Sequence, residues 1–218
     1  MACDVKGADI TGPDIAETHQ FDLRDRAEVL DAAKNILSRE VPSVVILNAG
    51  WARQETLAST TSQGLIDEVD INFTNVAMFC HALLPEMRIA GGERTFVFVS
   101  SVNALSHHGN PAYSAAKAAG LAWMRALAVE EGVHGIRANA VVPGSVRTSA
   151  WDHRLQDDPT LLDCVSKLYP LGRIVTAKEV ASAVAFLTSP VASGITGAAL
   201  NVDAGLMAGN LTFLEGLK

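Results

Sequence analysis

Thr95-Phe-Val-Phe-Val-Ser-Ser101 and, twelve residues beyond Ser101, Tyr113-Ser-Ala-Ala-Lys117 are the stretch on which the fold turns. Phe96 to Val99 are aromatic or β-branched and carry no charge, the composition of a strand buried on both faces of a parallel sheet. Ser100 and Ser101 then fall where the strand exits, and in open parallel sheets ligands bind at that carboxyl edge. Tyr113 and Lys117 are four residues apart, so on a helix they share one face. An ammonium held beside a phenol stabilises the phenolate and draws the phenol pKa down from about 10, toward the range of a general acid or base. Ser101 is then placed to hydrogen-bond the substrate oxygen whose proton Tyr113 gives or takes. A Tyr-x-x-x-Lys spacing also arises by chance, so the pair needs support from the rest of the chain.

Read outward from this stretch, the sequence holds, in order, Asp22-Leu23, Asn48-Ala49-Gly50, Asn72, Ser101, Tyr113-x-x-x-Lys117, Arg137-x-Asn139, Pro143-Gly144 with Thr148, and Asp203-Ala204-Gly205. In this set and this order the chain resembles the short-chain dehydrogenase/reductase family, from about Asp22 to Gly205. It departs in detail: Leu47 stands where a second asparagine usually precedes the Ala, and Ala204 where a glycine is preferred. Ser101 precedes the tyrosine by twelve residues instead of thirteen, which leaves Ser100 as a rival.

The resemblance implies an α/β fold, a Rossmann-like doubly wound parallel sheet between two helical layers, with strand order 3-2-1-4-5-6. It implies reversible hydride transfer between a nicotinamide dinucleotide and an alcohol or carbonyl carbon. Tyr113 is then the acid/base, Lys117 its electrostatic partner and a ribose ligand, Ser101 the clamp on the substrate oxygen, and Asn72 the residue that positions a water and the lysine. For the cofactor it implies Asp4 at the adenosine ribose, favouring NAD with NADP not excluded, although Asp4 can also be read as a surface acid. It adds Asp22 and Leu23 at the adenine, Asn48, Ala49 and Gly50 beside the adenine ribose, and Pro143, Gly144, Val146 and Thr148 at the nicotinamide ribose and carboxamide. His108 and Trp151 join Ser101 as substrate-facing candidates, and residues 145 to 172 form the variable substrate lid. An alanine-rich helix from Tyr113 to about Glu131 matches the surface through which the family forms homotetramers or homodimers.

One part of the family pattern is absent from the sequence. A first strand, a glycine-rich turn and a helix belong before the strand that ends at Asp4, and no G-x-G-x-x-G occurs elsewhere. The fold is therefore expected as an N-terminally truncated form in which the two halves of the sheet are separated. The missing turn would supply two or three hydrogen bonds to the pyrophosphate, at about 1.5 to 3 kcal/mol each. Its loss weakens dinucleotide binding by about a thousandfold or more. A shortened, non-catalytic protein acting as an oligomeric scaffold or regulator is the alternative. A nucleotide-free lyase of dehalogenase type would normally carry Arg in place of Lys117, so the lysine argues against it.

Composition narrows the partners. The 218 residues are 49% hydrophobic and 19% charged, enough for one domain with a full core. A net charge of -7 without charge blocks argues against nucleic acid or an anionic membrane as partner. Cys3, Cys80 and Cys164 lack metal or disulfide spacing, and no apolar run approaches the roughly 20 residues that span a bilayer. A cytoplasmic, metal-free protein acting on a small molecule is the expectation.

The periodicity predicts a strand at His19 to Leu23, a helix at Arg24 to Arg39, a buried strand at Val41 to Leu47, and one long helix, or two with a kink, from Leu65 to Met87 ending near Pro85. Trp51 is read as core filler ahead of a roof over the site. Asn72, inside the helix, is either solvent-exposed or functional. Ile136 to Val142 and Ala198 to Val202 are the last strands, and Thr176 with Glu179 marks a capping box. The adjacent His107 and His108 lack a third ligand at metal spacing and are placed in an active-site loop.

Overall fold

The structure, a computed structural model, describes residues 2–4 and 17–217, with backbone alone for 2–4, 150, 152–154 and 212. In chain order the elements are β1 (Ala2–Asp4), β2 (Thr18–Gln20), α1 (Arg26–Leu37), β3 (Val44–Leu47), α2 (Ser62–Val69), α3 (Asn75–Ala90), β4 (Arg94–Val99), α4 (Pro111–Glu130), β5 (Ile136–Pro143), β6 (Val146–Arg147), α5 (Ala150–Asp157), α6 (Leu161–Ser166), β7 (Val175–Thr176), α7 (Ala177–Thr188), β8 (Ala199–Val202) and α8 (Leu211–Glu215).

β4 is the centre of the main sheet, as its composition predicts. It pairs in parallel with β3 on one side and β5 on the other, and β8 completes the order β3-β4-β5-β8. Phe96 and Phe98 point to one face and pack with Leu83, Met87, Leu121 and Met124 of α3 and α4. Val97 points to the other, against Val141 and, from α7, Val184 and Leu187. The strand is therefore buried from both sides by helices, the three-layer arrangement expected of a doubly wound sheet.

β1 and β2 form a separate parallel pair, and among the described residues no strand is hydrogen-bonded to both that pair and β3. β3 is thus the open edge of the main sheet. Val44 and Ile46 on it are 42% and 49% exposed, although they belong to the apolar run that predicts a buried strand. They line a cleft of about 910 Å³ whose other walls include Phe21, Ile36, Val76, Phe79 and Leu83.

Local chemistry sets the helix ends. Asp25 caps α1 by accepting from the backbone N–H groups of Ala27 and Glu28, and Thr61 caps α2 through Gly64. At α7, Thr176 and Glu179 form the predicted capping box. Of the two readings of Leu65 to Met87, the structure has the second: two helices, α2 and α3, joined at Asp70–Thr74 by a π turn. Pro85 does not end α3, which runs on to Ala90. Burial of Leu83, Leu84 and Met87 around it outweighs the lost backbone bond.

Candidate active site

The tip of β4 and the start of α4 are tied by a polar loop. Ser101 caps a short 3-10 turn, its Oγ accepting from Asn103 N at 3.2 Å. The Asn103 carboxamide donates to Gly109 O at 2.7 Å and to Ser114 Oγ at 3.0 Å. Asn110, in the left-handed region with φ 52°, makes the sharp entry to α4, and Pro111 supplies the first turn. These bonds fix where Tyr113 leaves the helix.

Tyr113 and Lys117 meet as their spacing predicts. Lys117 Nζ lies 5.6 Å from the centre of the Tyr113 ring and donates to Val99 O, at the end of β4, at 3.1 Å. The lysine is buried, which pushes its pKa down to about 8 against the opposing pull of Glu68. Burial also pushes the Tyr113 phenol above its ordinary value; a hydrogen bond from Ser101 favours the phenolate and the Glu68 carboxylate opposes it. The surroundings of the phenol thus raise its pKa, contrary to the lowering expected from Lys117. Desolvation of the phenol dominates, and the ammonium's own proton is held less firmly than in water.

Asn72 is buried within the π turn, not on an exposed helix face. Its Nδ2 donates to Trp51 O, Glu68 O and Glu68 Oε2, and its Oδ1 accepts from Trp51 N. A Cβ added to Gly50 would stand 2.9 Å from Asn72 Oδ1 and 3.0 Å from Lys117 Nζ. Glycine is therefore required where the Asn48-Ala49-Gly50 backbone passes the site. Ser100, the rival serine, is buried with its Oγ unpartnered and lines a small cavity with Asn72 and Lys117. Of the two serines, Ser101 is the one that acts on the Tyr113 phenol.

The remaining candidates divide. Asp22, Leu23, Asn48, Ala49 and Gly50 all line the open cleft, with Asp22 held by Arg24 through a bidentate pair. The Asp4 backbone belongs to β1, and its side chain lies outside the described residues. Pro143 ends β5 and Gly144 follows it, Val146 is half-buried in β6, and Thr148 is exposed. Trp51 is half-exposed at the cleft rim with Arg53 over its ring, so it is not core filler. Trp151, expected to face substrate, is buried in a small core of its own with Tyr169, Ile174 and Val175. His108 is exposed, its Nε2 3.4 Å from Met207 Sδ. Arg137 and Asn139, on the face of β5 toward α7, hold the backbone of Leu187, Ile195 and Ala198. Ala204, where glycine was expected, sits in the left-handed region at φ 49°.

Two roles escaped the sequence reading. Tyr169 accepts from Ser145 N at 2.8 Å and packs on Gly144, so it shapes the loop after β5. Glu68 is fully buried against Asn72; its place four residues before Asn72 on one helix was the available signal.

Helices on both faces of a parallel sheet, with a serine, tyrosine and lysine gathered at its carboxyl edge, define a Rossmann-like oxidoreductase. A family model described as enoyl-(acyl carrier protein) reductase matches residues 7–207. The chain is 34% identical over 216 residues to an uncharacterized oxidoreductase of Schizosaccharomyces pombe, covering 97% of this chain and 84% of that one. It is 40% identical to the solved structure of a Burkholderia thailandensis oxidoreductase described as short chain dehydrogenase/reductase family, with TM-score 0.84 over 92% of this chain and 77% of that one. A structure titled ElxO with NADP bound is 25% identical, with TM-score 0.82 over 88% of this chain and 79% of that one. The chain belongs to the short-chain dehydrogenase/reductase family of oxidoreductases.

Proposed function

We propose that the chain catalyses hydride transfer between a nicotinamide dinucleotide and a small alcohol or carbonyl compound, with Tyr113 as acid/base. The observation that carries this reading is the meeting of Ser101, Tyr113 and Lys117 at the end of β4, beside the Asn48-Ala49-Gly50 backbone that lines the cleft. The dinucleotide, when bound, supplies or accepts the hydride. In the reducing direction the raised pKa of Tyr113 keeps its proton in place, and Tyr113 Oη gives that proton to the substrate oxygen. Ser101 Oγ donates a hydrogen bond to the same oxygen. Lys117, anchored on Val99 O, presents its ammonium to the phenolate left behind and to a ribose hydroxyl. The buried Asn72 is the fourth member, placed to hold a water in the path of the returning proton.

The residues present suit the two ends of a dinucleotide better than its middle. Gly50 leaves room for close approach, and Asp22, Leu23, Asn48, Ala49, Pro143, Gly144, Val146 and Thr148 would hold the adenosine and nicotinamide-ribose portions. Among the described residues no glycine-rich turn lines the cleft to cradle a pyrophosphate. NAD is the proposed partner, with NADP admitted by the NADP-bound relative. The exposed face of α4 carries Ala115, Ala118, Ala122 and Ala126, small enough for a second copy to pack closely, so a homodimer or homotetramer is proposed. Following the absorbance of reduced nicotinamide with a panel of alcohols and carbonyls tests the reaction. No change with any partner at millimolar cofactor would sink it, and light scattering tests the assembly.

A further inference from the structure

Glutamate is almost never fully buried unless paired, yet Glu68 has no exposed surface. It lies on α2, one turn before Asn72, and each of its oxygens has a partner. Oε1 accepts from Arg53 N at 2.6 Å and Oε2 from Asn72 Nδ2 at 2.9 Å. A carboxylate only accepts, so it must face the amide nitrogen of Asn72 and not its oxygen. Asn72 Oδ1 is thereby turned the other way, toward Trp51 N and the point beside Gly50 that Lys117 Nζ also approaches.

The charge acts on the same cluster. The Glu68 carboxylate favours the protonated forms of both Tyr113 and Lys117, and its own pKa is raised, chiefly by burial. The other charged groups that face it are few. Arg53 is paired with Asp67 of α2 at 2.9 Å, and Glu55 lies in the same loop. From α4 come Tyr113 and Lys117 themselves.

We propose that Glu68 is a positioning residue for Tyr113 and Lys117: its buried carboxylate orients the Asn72 carboxamide and serves as the counter-charge of the Lys117 ammonium. This rests on the acid/base role given to Tyr113 above. Glu68→Gln keeps the size and removes the charge, and whichever way it turns its amide it sets a donor against one of the two N–H groups it now accepts from.

The chain has only two tyrosines, so phenolate ultraviolet absorbance reports Tyr113 in the whole protein without cofactor or substrate, and Tyr113→Phe identifies its transition. Glu68→Gln is expected to lower the Tyr113 midpoint by about half a pH unit or more, because removing a nearby negative charge eases deprotonation. Turnover is expected to fall about tenfold in kcat with KM held within about twofold. Glu68→Asp restores the charge, so the midpoint returns most of the way while kcat recovers only in part. An unmoved midpoint in a folded Glu68→Gln protein overturns the proposal. Should that variant fail to fold, Glu68→Asp decides: kcat equal to that of the parent overturns it, and a fall in kcat at constant KM supports it. A shifted midpoint in a protein with no turnover supports the role of Glu68 while removing the proposed reaction. Turnover with an unmoved midpoint does the reverse.

Discussion

β4 and β3 are neighbours in one parallel sheet, built from the same kinds of residue, and their surroundings could hardly differ more. β4 is sealed by strands on both edges and helices on both faces, with Phe96 and Val97 fully buried. β3 has one sealed edge, while its other side leaves Ile46 half-exposed in a cleft of about 910 Å³. The groups proposed to handle the proton hang from the sealed strand and the helix after it. The surfaces proposed for a dinucleotide hang from the open one. The proposed acid/base chemistry and cofactor affinity thus rest on regions of different exposure, and can be separated by experiment.

The largest expected effect is at the sealed end. Tyr113→Phe removes one oxygen from a half-buried ring and should lower turnover by about a thousandfold while shifting the melting temperature by no more than a few degrees. If turnover survives, the two regions do not divide the labour as described. At the open end, we propose that the dinucleotide binds in the millimolar range, because among the described residues no glycine-rich turn lines the cleft, and two or three backbone hydrogen bonds to a pyrophosphate are worth about a thousandfold in affinity. Calorimetric titration giving a micromolar Kd would erase the contrast.

Stability sharpens the same comparison. Phe96→Ala should cost about 3 to 5 kcal/mol in urea denaturation, whereas Ile46→Thr on the open strand should cost about 0.5 kcal/mol or less. Near-equal losses would mean that the cleft closes over Ile46 in solution. The smallest effect concerns pH. Lys117 carries its proton below about 8 and loses it above, and the raised phenol stays protonated through that range. Carbonyl reduction should therefore hold level at lower pH and decline as pH rises through about 8, measured as kcat at saturating substrate.

Much of this was legible in the sequence because short-range rules carry it. An uncharged aromatic and β-branched run predicted β4, and a four-residue spacing predicted that Tyr113 and Lys117 share a helix face. The family pattern predicted that the β1–β2 pair would stand apart from β3. What escaped depends on contacts between distant segments. Trp51 is apolar enough for a core, but Arg53 stacks over it at the cleft rim. Trp151 and Tyr169 close a small core with Ile174 and Val175, a grouping no local pattern announces. The direction of the Tyr113 shift was misjudged for a related reason: spacing shows that an ammonium is near, while the water that both groups lose is visible only in three dimensions. The π turn at 70–74 lies in a run whose periodicity suits an ordinary helix, and Pro85 drew attention to the wrong place.

That wide turn has a geometric consequence of its own. Each residue of a regular helix advances the side chains by about 100°, so a lengthened loop of backbone inside a helix resets the phase of everything beyond it. The apolar stripe of α3, from Cys80 through Leu83 to Met87, therefore answers to the sheet below it, while α2 can turn Glu68 toward Asn72 and the proposed catalytic cluster. Uncoupling two requirements that a continuous rod would have to satisfy with a single register, the kinked segment lets packing and chemistry drift independently as sequences diverge.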